Sequence, residues 1–227
     1  MWRNEFPRLN ELYEMSEQSH PDNYFTTFER CYADDRDGTR RSFGPLEKAL
    51  ERTDPEAWRL LVGKALPSIT QKDSRRGWYQ LFNSLYEAFG YEVLADRGYT
   101  SIKFIKPGKK RTPELLGKSQ TSTAILEVKS IGCSDDEIDR LAARPPEVFD
   151  LAQELSNELK KKLLSDIKNA QDQLEKFDES ADKRIVLLVV YMDCDHWGND
   201  KIEELYKFAR LHQTADLEIV MRPLVVL

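Results

Sequence analysis

Apolar and polar positions along the chain change period several times, and each change marks an element. Residues 1–70 read as mainly helical and irregular, and FGPLEKALERT and DPEAWRLLVGKAL carry the clearest helical spacing. Asp54 is placed to cap the second of these, with Pro55 in its first turn. The DDRDG cluster marks a loop. From Ser74 to Phe89, Trp78, Leu81, Phe82, Leu85 and Phe89 recur at three- and four-residue steps, which predicts a helix with one buried face ending at Gly90. YEVLAD and SIKFIK then read as strands, PGKK as a turn, TPELLG as a short extended piece and TAILEVKS as a further strand.

An irregular connection over residues 131–146 leads to a long amphipathic helix over 147–178, with Leu151, Leu155, Leu159, Leu163, Ile167, Ala170, Leu174 and Phe177 on one broad face. RIVLLVVYM is almost wholly apolar, as a central strand covered on both faces should be. A helix from Asn199 to Leu211 and a strand, ADLEIVM, complete the order. The succession predicts an α/β fold with a mixed central sheet flanked by helices and an N-terminal helical region. The expected division is 1–70 as a helical extension or cap and 71–227 as the main domain.

Composition fits a soluble folded chain: 40% apolar, 33% charged, net charge -6. The longest apolar run, IVLLVVYM, is too short to span a bilayer as a helix, and the N-terminus has no signal-like stretch. Membrane association is therefore not expected. Cys31, Cys133 and Cys194 are widely spaced and odd in number, which suggests reduced thiols in a cytoplasmic setting. No glycine-rich phosphate loop is present. Net acidity argues weakly against a protein that coats nucleic acid, but local charge differs. Lys103, Lys106, Lys109, Lys110, Arg111 and Lys118 surround a single acid, Glu114. They suit either a solvated hairpin or phosphate contacts.

Candidate chemistry centres on Glu114, Glu127 and Lys129. One residue separates Glu127 from Lys129 on a strand, so both side chains point to one face. Leu126 and Val128 point to the other. Charges on a packed face need partners or a wet cleft. Glu114, after Pro113, is the expected neighbour, and two clustered carboxylates repel unless a cation lies between them. Mg²⁺, which prefers oxygen ligands and keeps its waters, is the expected ion, with Mn²⁺ as a substitute. A bland alternative is an exposed face with a cross-strand ion pair.

In this order of elements, Pro113-Glu114 and Glu127-Val128-Lys129 resemble the PD-(D/E)XK nuclease superfamily, the restriction-endonuclease-like fold. The resemblance spans roughly residues 74–192. It implies a helix, a three-strand meander bearing the motif, a second helix and another strand. It implies metal binding by Glu114 and Glu127 and positioning of water or phosphate by Lys129. The first acid is more often Asp in that family.

Some exonuclease-like members carry Gln-x-x-x-Tyr on the following helix. Here Gln173 matches and Phe177 lacks the hydroxyl, which makes Gln173 a fourth catalytic candidate and Gln171 a weaker one. Lys110, Arg111 and Lys168 are the candidate substrate contacts. Gln80 stands where many members have a helix glutamate, and Glu87 is expected at the solvent face. Asp193, Asp195 and His196 read as a polar strand-to-helix loop rather than a second metal cluster.

The implied activity is Mg²⁺-dependent hydrolysis of DNA phosphodiester bonds by an endonuclease or exonuclease. The alternative is a non-catalytic nucleic-acid-binding or protein-interaction module on the same fold. DNA is the expected partner, with a protein partner or homo-oligomer left open.

Overall fold

The structure is a computed structural model that describes residues 1–106, 108, 111–132, 139, 143, 155–178, 180–191 and 199–224. The chain forms two compact units, one running Met1–Asp96 and the other beginning at Arg97. The division expected from sequence lay after residue 70. Among the described residues, no helix is long and apolar enough to cross a membrane.

The first unit is helical: α1 (Pro7–Met15), α2 (Tyr24–Asp34), α3 (Arg36–Glu51), α4 (Pro55–Ala65), α5 (Tyr79–Leu85) and α6 (Glu87–Asp96). Trp2, Phe6, Tyr24, Phe25, Phe28 and Phe82 build its aromatic core. Asp54 caps α4 as expected, accepting from the N–H groups of Glu56 and Ala57 at 2.9 and 2.8 Å. The DDRDG cluster is not a loop. Asp35 alone joins α2 to α3, and its carboxylate accepts the Gly38 N–H at 2.8 Å.

Glu47, buried on α3, accepts the N–H groups of Arg8 and Leu9 at 2.6 and 3.1 Å. It thus closes the open N-terminus of α1 with a carboxylate supplied by another helix. Burial pushes its carboxyl up to about 7, against the opposing pull of those two backbone bonds.

The end of this unit differs from the sequence expectation. YEVLAD is not a strand; it is the second half of α6. Residues Ala88 to Leu94 are all buried, so no polar face reveals the helical period. The single helix expected over 74–89 is likewise two helices, and Gly90 lies inside α6 instead of ending a helix. Glu87 is not solvent-facing: its side chain is 13% exposed and pairs with Lys64 of α4 at 2.5 Å.

The second unit holds a five-stranded sheet in the order β1 (Ser101–Phe104), β2 (Leu115–Lys118), β3 (Thr123–Ile131), β4 (Lys183–Tyr191), β5 (Leu217–Leu224). The pairs β1–β2 and β2–β3 are antiparallel, and β3–β4 and β4–β5 are parallel. Gly98, with φ +82°, makes the turn into β1 in a conformation that a side chain disfavours. Helix α7 (Asn157–Phe177) leads into β4, and α8 (Asn199–His212) into β5.

Leu163, Ile167, Ala170 and Leu174 on α7 pack with Ile125, Ile131, Val186 and Leu188 of the sheet. The helix starts at Asn157, after Ser156, whose hydroxyl caps it by accepting the Leu159 N–H at 3.1 Å. The expected portion 147–154, with Leu151, lies outside the described residues. The α/β reading with a mixed sheet, flanking helices and an N-terminal helical region therefore describes the chain.

Candidate functional site

The site grows from the end of the β2–β3 ladder. Leu115 pairs with Leu126, and Leu116 with Ile125. One further step of this register sets Glu114 opposite Glu127, on the same face of the sheet. Pro113 has no N–H to continue the ladder. At this point the Glu114 carbonyl still accepts the Ile105 N–H at 2.8 Å, extending the β1 side. On the β3 side its carboxylate Oε2 accepts the Val128 N–H, also at 2.8 Å. The side chain therefore does the work of a main-chain acceptor where the strand has run out.

Glu127 is 1% exposed, deep for a carboxylate. Two groups make this tolerable. Lys129, two residues along the same strand and face, forms an ion pair with Oε1. Gln173 on α7 donates from Nε2 to Oε2 at 2.7 Å. The second proton of the same amide goes to the Thr112 carbonyl, again at 2.7 Å. Gln173 is thus a clamp joining α7, the β3 acid and the main chain that leads into β2. Its position follows from helix phase, since Ala170 and Leu174 beside it are in the core and hold the amide at the edge of the packed face. Lys129 keeps part of its side chain in contact with solvent, at 27% exposure, so the ion pair has one dry and one wet end.

Glu114, Glu127, Lys129 and Gln173 accordingly belong to one connected network. Glu114 grips the peptide N–H that follows Glu127, and Lys129 and Gln173 engage the two Glu127 oxygens. The ion pair is an intrastrand one under α7, not the exposed cross-strand pair of the bland reading. Arg111 is exposed close in sequence to Thr112, and Lys168 is exposed on α7. Lys110, Asp193, Asp195 and His196 lie outside the described residues. Gln80 is exposed on α5 in the first unit. Gln171 bonds Glu175 one helical turn away at 2.8 Å, and Phe177 is 38% exposed at the end of α7. The Thr112 carbonyl was missed from sequence, because a main-chain acceptor carries no residue signature.

The donor set consists of carboxylate oxygens, the chemistry of a hard divalent cation. Among the described residues no group of three or more His, Cys, Asp or Glu side chains gathers. A pair of carboxylates is what Mg²⁺ uses when waters and a substrate phosphate complete its shell. Each carboxylate oxygen has more than one lone pair, so a hydrogen bond to Lys129 or Gln173 leaves capacity for a metal. Glu114 and Glu127 are the two carboxylates that such an ion would use.

The fold defines a class no narrower than a mixed α/β sheet flanked by helices with an N-terminal helical region. No protein-family model matches the chain, and no curated protein matches it. A solved structure of SfsA from Pyrococcus furiosus in complex with Ca²⁺ is similar at 19% identity and a TM-score of 0.25. The match covers 63% of this chain and 55% of that one.

Proposed function

We propose that the chain is a metal-dependent nuclease of the PD-(D/E)XK type that hydrolyses phosphodiester bonds in DNA. The observation that carries the reading is the buried Glu127 engaged by both Lys129 and Gln173, with Glu114 anchored to the next peptide. An antiparallel meander, a helix and a parallel strand follow in the order that the sequence resemblance implies.

In this reading Glu114 and Glu127 hold Mg²⁺ or Mn²⁺. The bound ion supplies Lewis-acid polarisation of the scissile phosphate and a more acidic water. Lys129 orients the attacking water and offsets the negative charge that grows on the phosphorus-bound oxygens. Gln173 keeps Glu127 in a single rotamer and ties it to the approach into β2. Arg111 and Lys168 contact flanking phosphates, as fork and point donors respectively. A water oxygen bonds to phosphorus as it gives up a proton to solvent, the phosphorus–ester oxygen bond breaks, and the leaving oxygen takes a proton from solvent.

A second reading, a non-catalytic binding module, has one observation in its favour: both Glu127 oxygens are already engaged within the protein. The deciding experiment incubates linear, nicked and single-stranded DNA with wild type, Lys129→Ala and Glu127→Gln, in Mg²⁺, in Mn²⁺ and in chelator. The nuclease reading expects cleavage only with metal and a loss of at least about 10²-fold in each variant. Cleavage that survives Lys129→Ala would refute this site. Absence of cleavage by wild type on every substrate would leave the binding module.

A further inference from the structure

Helix α7 covers only part of the sheet face that bears Glu114 and Glu127. Register sets Ser101 opposite Lys118, Lys103 opposite Leu116, and Leu116 opposite Ile125. These residues share that face with the two acids. Ile125 belongs to the core that α7 closes, and Leu116 packs half-buried at its margin. Past Leu116 the face is open. Ser101, Lys103 and Lys118 are exposed there, whereas Ile102, Phe104, Leu115 and Gly117 on the other face are buried.

Helix α7 ends beside this open half. Phe177, its last residue, stands one turn beyond Gln173, on the side from which Gln173 reaches the Thr112 carbonyl, and is 38% exposed. Lys118 acts on the next residue, Asp178: the Ser180 hydroxyl and N–H, then the charges of Arg184 and Lys118, hold that carboxyl below its usual range. The acids at this end already have protein donors. Asp178 accepts from the Ser180 N–H and hydroxyl at 2.8 and 2.6 Å, and Asp182 accepts the Thr123 N–H at 2.7 Å. Lys103 has no ion pair or side-chain hydrogen bond among the described residues.

We infer that this open half-face seats an unpaired DNA strand, with a base stacked on Phe177 and backbone phosphates on Lys103 and Lys118. An exposed aromatic ring beside cations is the combination that single strands use, since every base has a π-face and every phosphate a charge. Inside a duplex each base is already stacked on both sides, so only a single strand, an overhang or a frayed end can meet the ring. Lys103 and Lys118 are diagonal neighbours across the β1–β2 ladder, with Cα atoms about 7–8 Å apart. Their flexible ammonium groups can therefore hold nearby phosphates of one strand. Glu114 lies two residues before Leu116 on the same face, so a strand held here passes the two acids. The inference rests on the nuclease reading for its choice of DNA and adds the class of substrate, while its residues are separate from those proposed to hold metal.

The test measures binding and not cleavage. Anisotropy is titrated in chelator across about 50 to 200 mM salt with three labelled probes: a single-stranded DNA, the same strand with abasic positions, and its duplex. The comparison is among wild type, Lys103→Ala/Lys118→Ala, Phe177→Ala, Phe177→Trp, and a charge-matched control, Lys161→Ala/Lys207→Ala, at exposed lysines of α7 and α8.

On single-stranded DNA the Lys103 and Lys118 pair should lower the log–log salt slope by about 1.4, at about 0.7 for each phosphate no longer neutralised. The control should keep the wild-type slope. Phe177→Ala should weaken single-strand binding by about 5- to 150-fold at an unchanged slope, the loss of one stacked base. It should leave duplex binding as it is and lose the wild-type preference for bases over abasic positions, which Phe177→Trp should keep. An equal slope change in the control, an unchanged slope in the lysine pair, a Phe177→Ala loss of the same size on duplex, or no single-strand binding by wild type overturns the inference. Binding with these signatures but no metal-dependent cleavage would sustain it while removing the nuclease reading; cleavage without them would do the reverse.

Discussion

Removing the Gln173 amide tests the network at the joint where helix and sheet meet. Gln173→Ala deletes the 2.7 Å bond to Glu127 and the 2.7 Å bond to Thr112. A hydrogen bond to a buried charge contributes about 1.5–3 kcal/mol. The Thr112 bond adds less than about 1 kcal/mol, because this half-buried carbonyl can turn to water. Alanine returns a few tenths of a kcal/mol through helix propensity. The net expectation is a loss of about 2–3 kcal/mol.

A double-mutant cycle isolates the contact. Glu127→Ala alone should cost about 3–5 kcal/mol, since it strands Lys129 and Gln173. The double variant should cost about 1.5–3 kcal/mol less than the sum of the two single losses, because the shared bond is counted twice in that sum. Urea unfolding followed by far-ultraviolet circular dichroism gives each value, with a constant m-value as the condition for comparison. A coupling below about 0.5 kcal/mol would refute the clamp as an energetic unit.

Three further outcomes concern the first unit. Glu47 has a folded pKa of about 7 against an ordinary value of 4.5, so between these values the folded chain keeps a proton that the unfolded chain has released. Its contribution is full below pH 4.5 and is lost as pH rises through 7, by roughly 3 kcal/mol; urea midpoints of Glu47→Gln should lack that slope, and an identical pH profile in both proteins would contradict the assignment. Glu5 has the opposite sign: Arg40 and Arg36 hold its carboxyl down to about 2, so its contribution is present above pH 4.5 and lost toward pH 2. Glu5→Gln should therefore flatten the acid limb of a thermal-stability profile. Asp54→Ala should cost about 1 kcal/mol and Asp54→Asn much less, read from the same denaturation curves, because the side chain caps two N–H groups of α4.

The parts of the fold legible in sequence are those with contrast between faces. Helix α7 alternates core and solvent positions over many turns, and β4 is an apolar run of strand length bounded by polar residues. Helix α6 lacks such contrast: with Ala88 through Leu94 all buried, its short apolar stretch suits a strand equally well. At the site, the spacing of Glu127 and Lys129 alone puts them on one face, and Gln173 was singled out only through the resemblance to the Gln-x-x-x-Tyr pattern. The grip of Glu114 on the Val128 N–H was not, because it depends on where β2 stops pairing. The Thr112 acceptor and the Lys64 partner of Glu87 were hidden for the same kind of reason, as products of tertiary placement.

The change from antiparallel to parallel pairing at β3 has a consequence for the order of assembly. The strands β2 and β3 join through residues 119–122 alone, and Lys118 already pairs with Thr123 five residues on. Such contacts close quickly, with little chain entropy lost. The bond from Gln173 to Glu127 spans 46 residues, and the Asp182 carboxylate that receives the Thr123 N–H spans 59. These contacts wait for α7 to cross over and deliver β4. Glu114 and Val128 can therefore meet in a local hairpin, while the Glu127 carboxylate stays hydrated until the crossover docks. Burial of that single acid is then expected late in folding, after the strands that flank it have already paired.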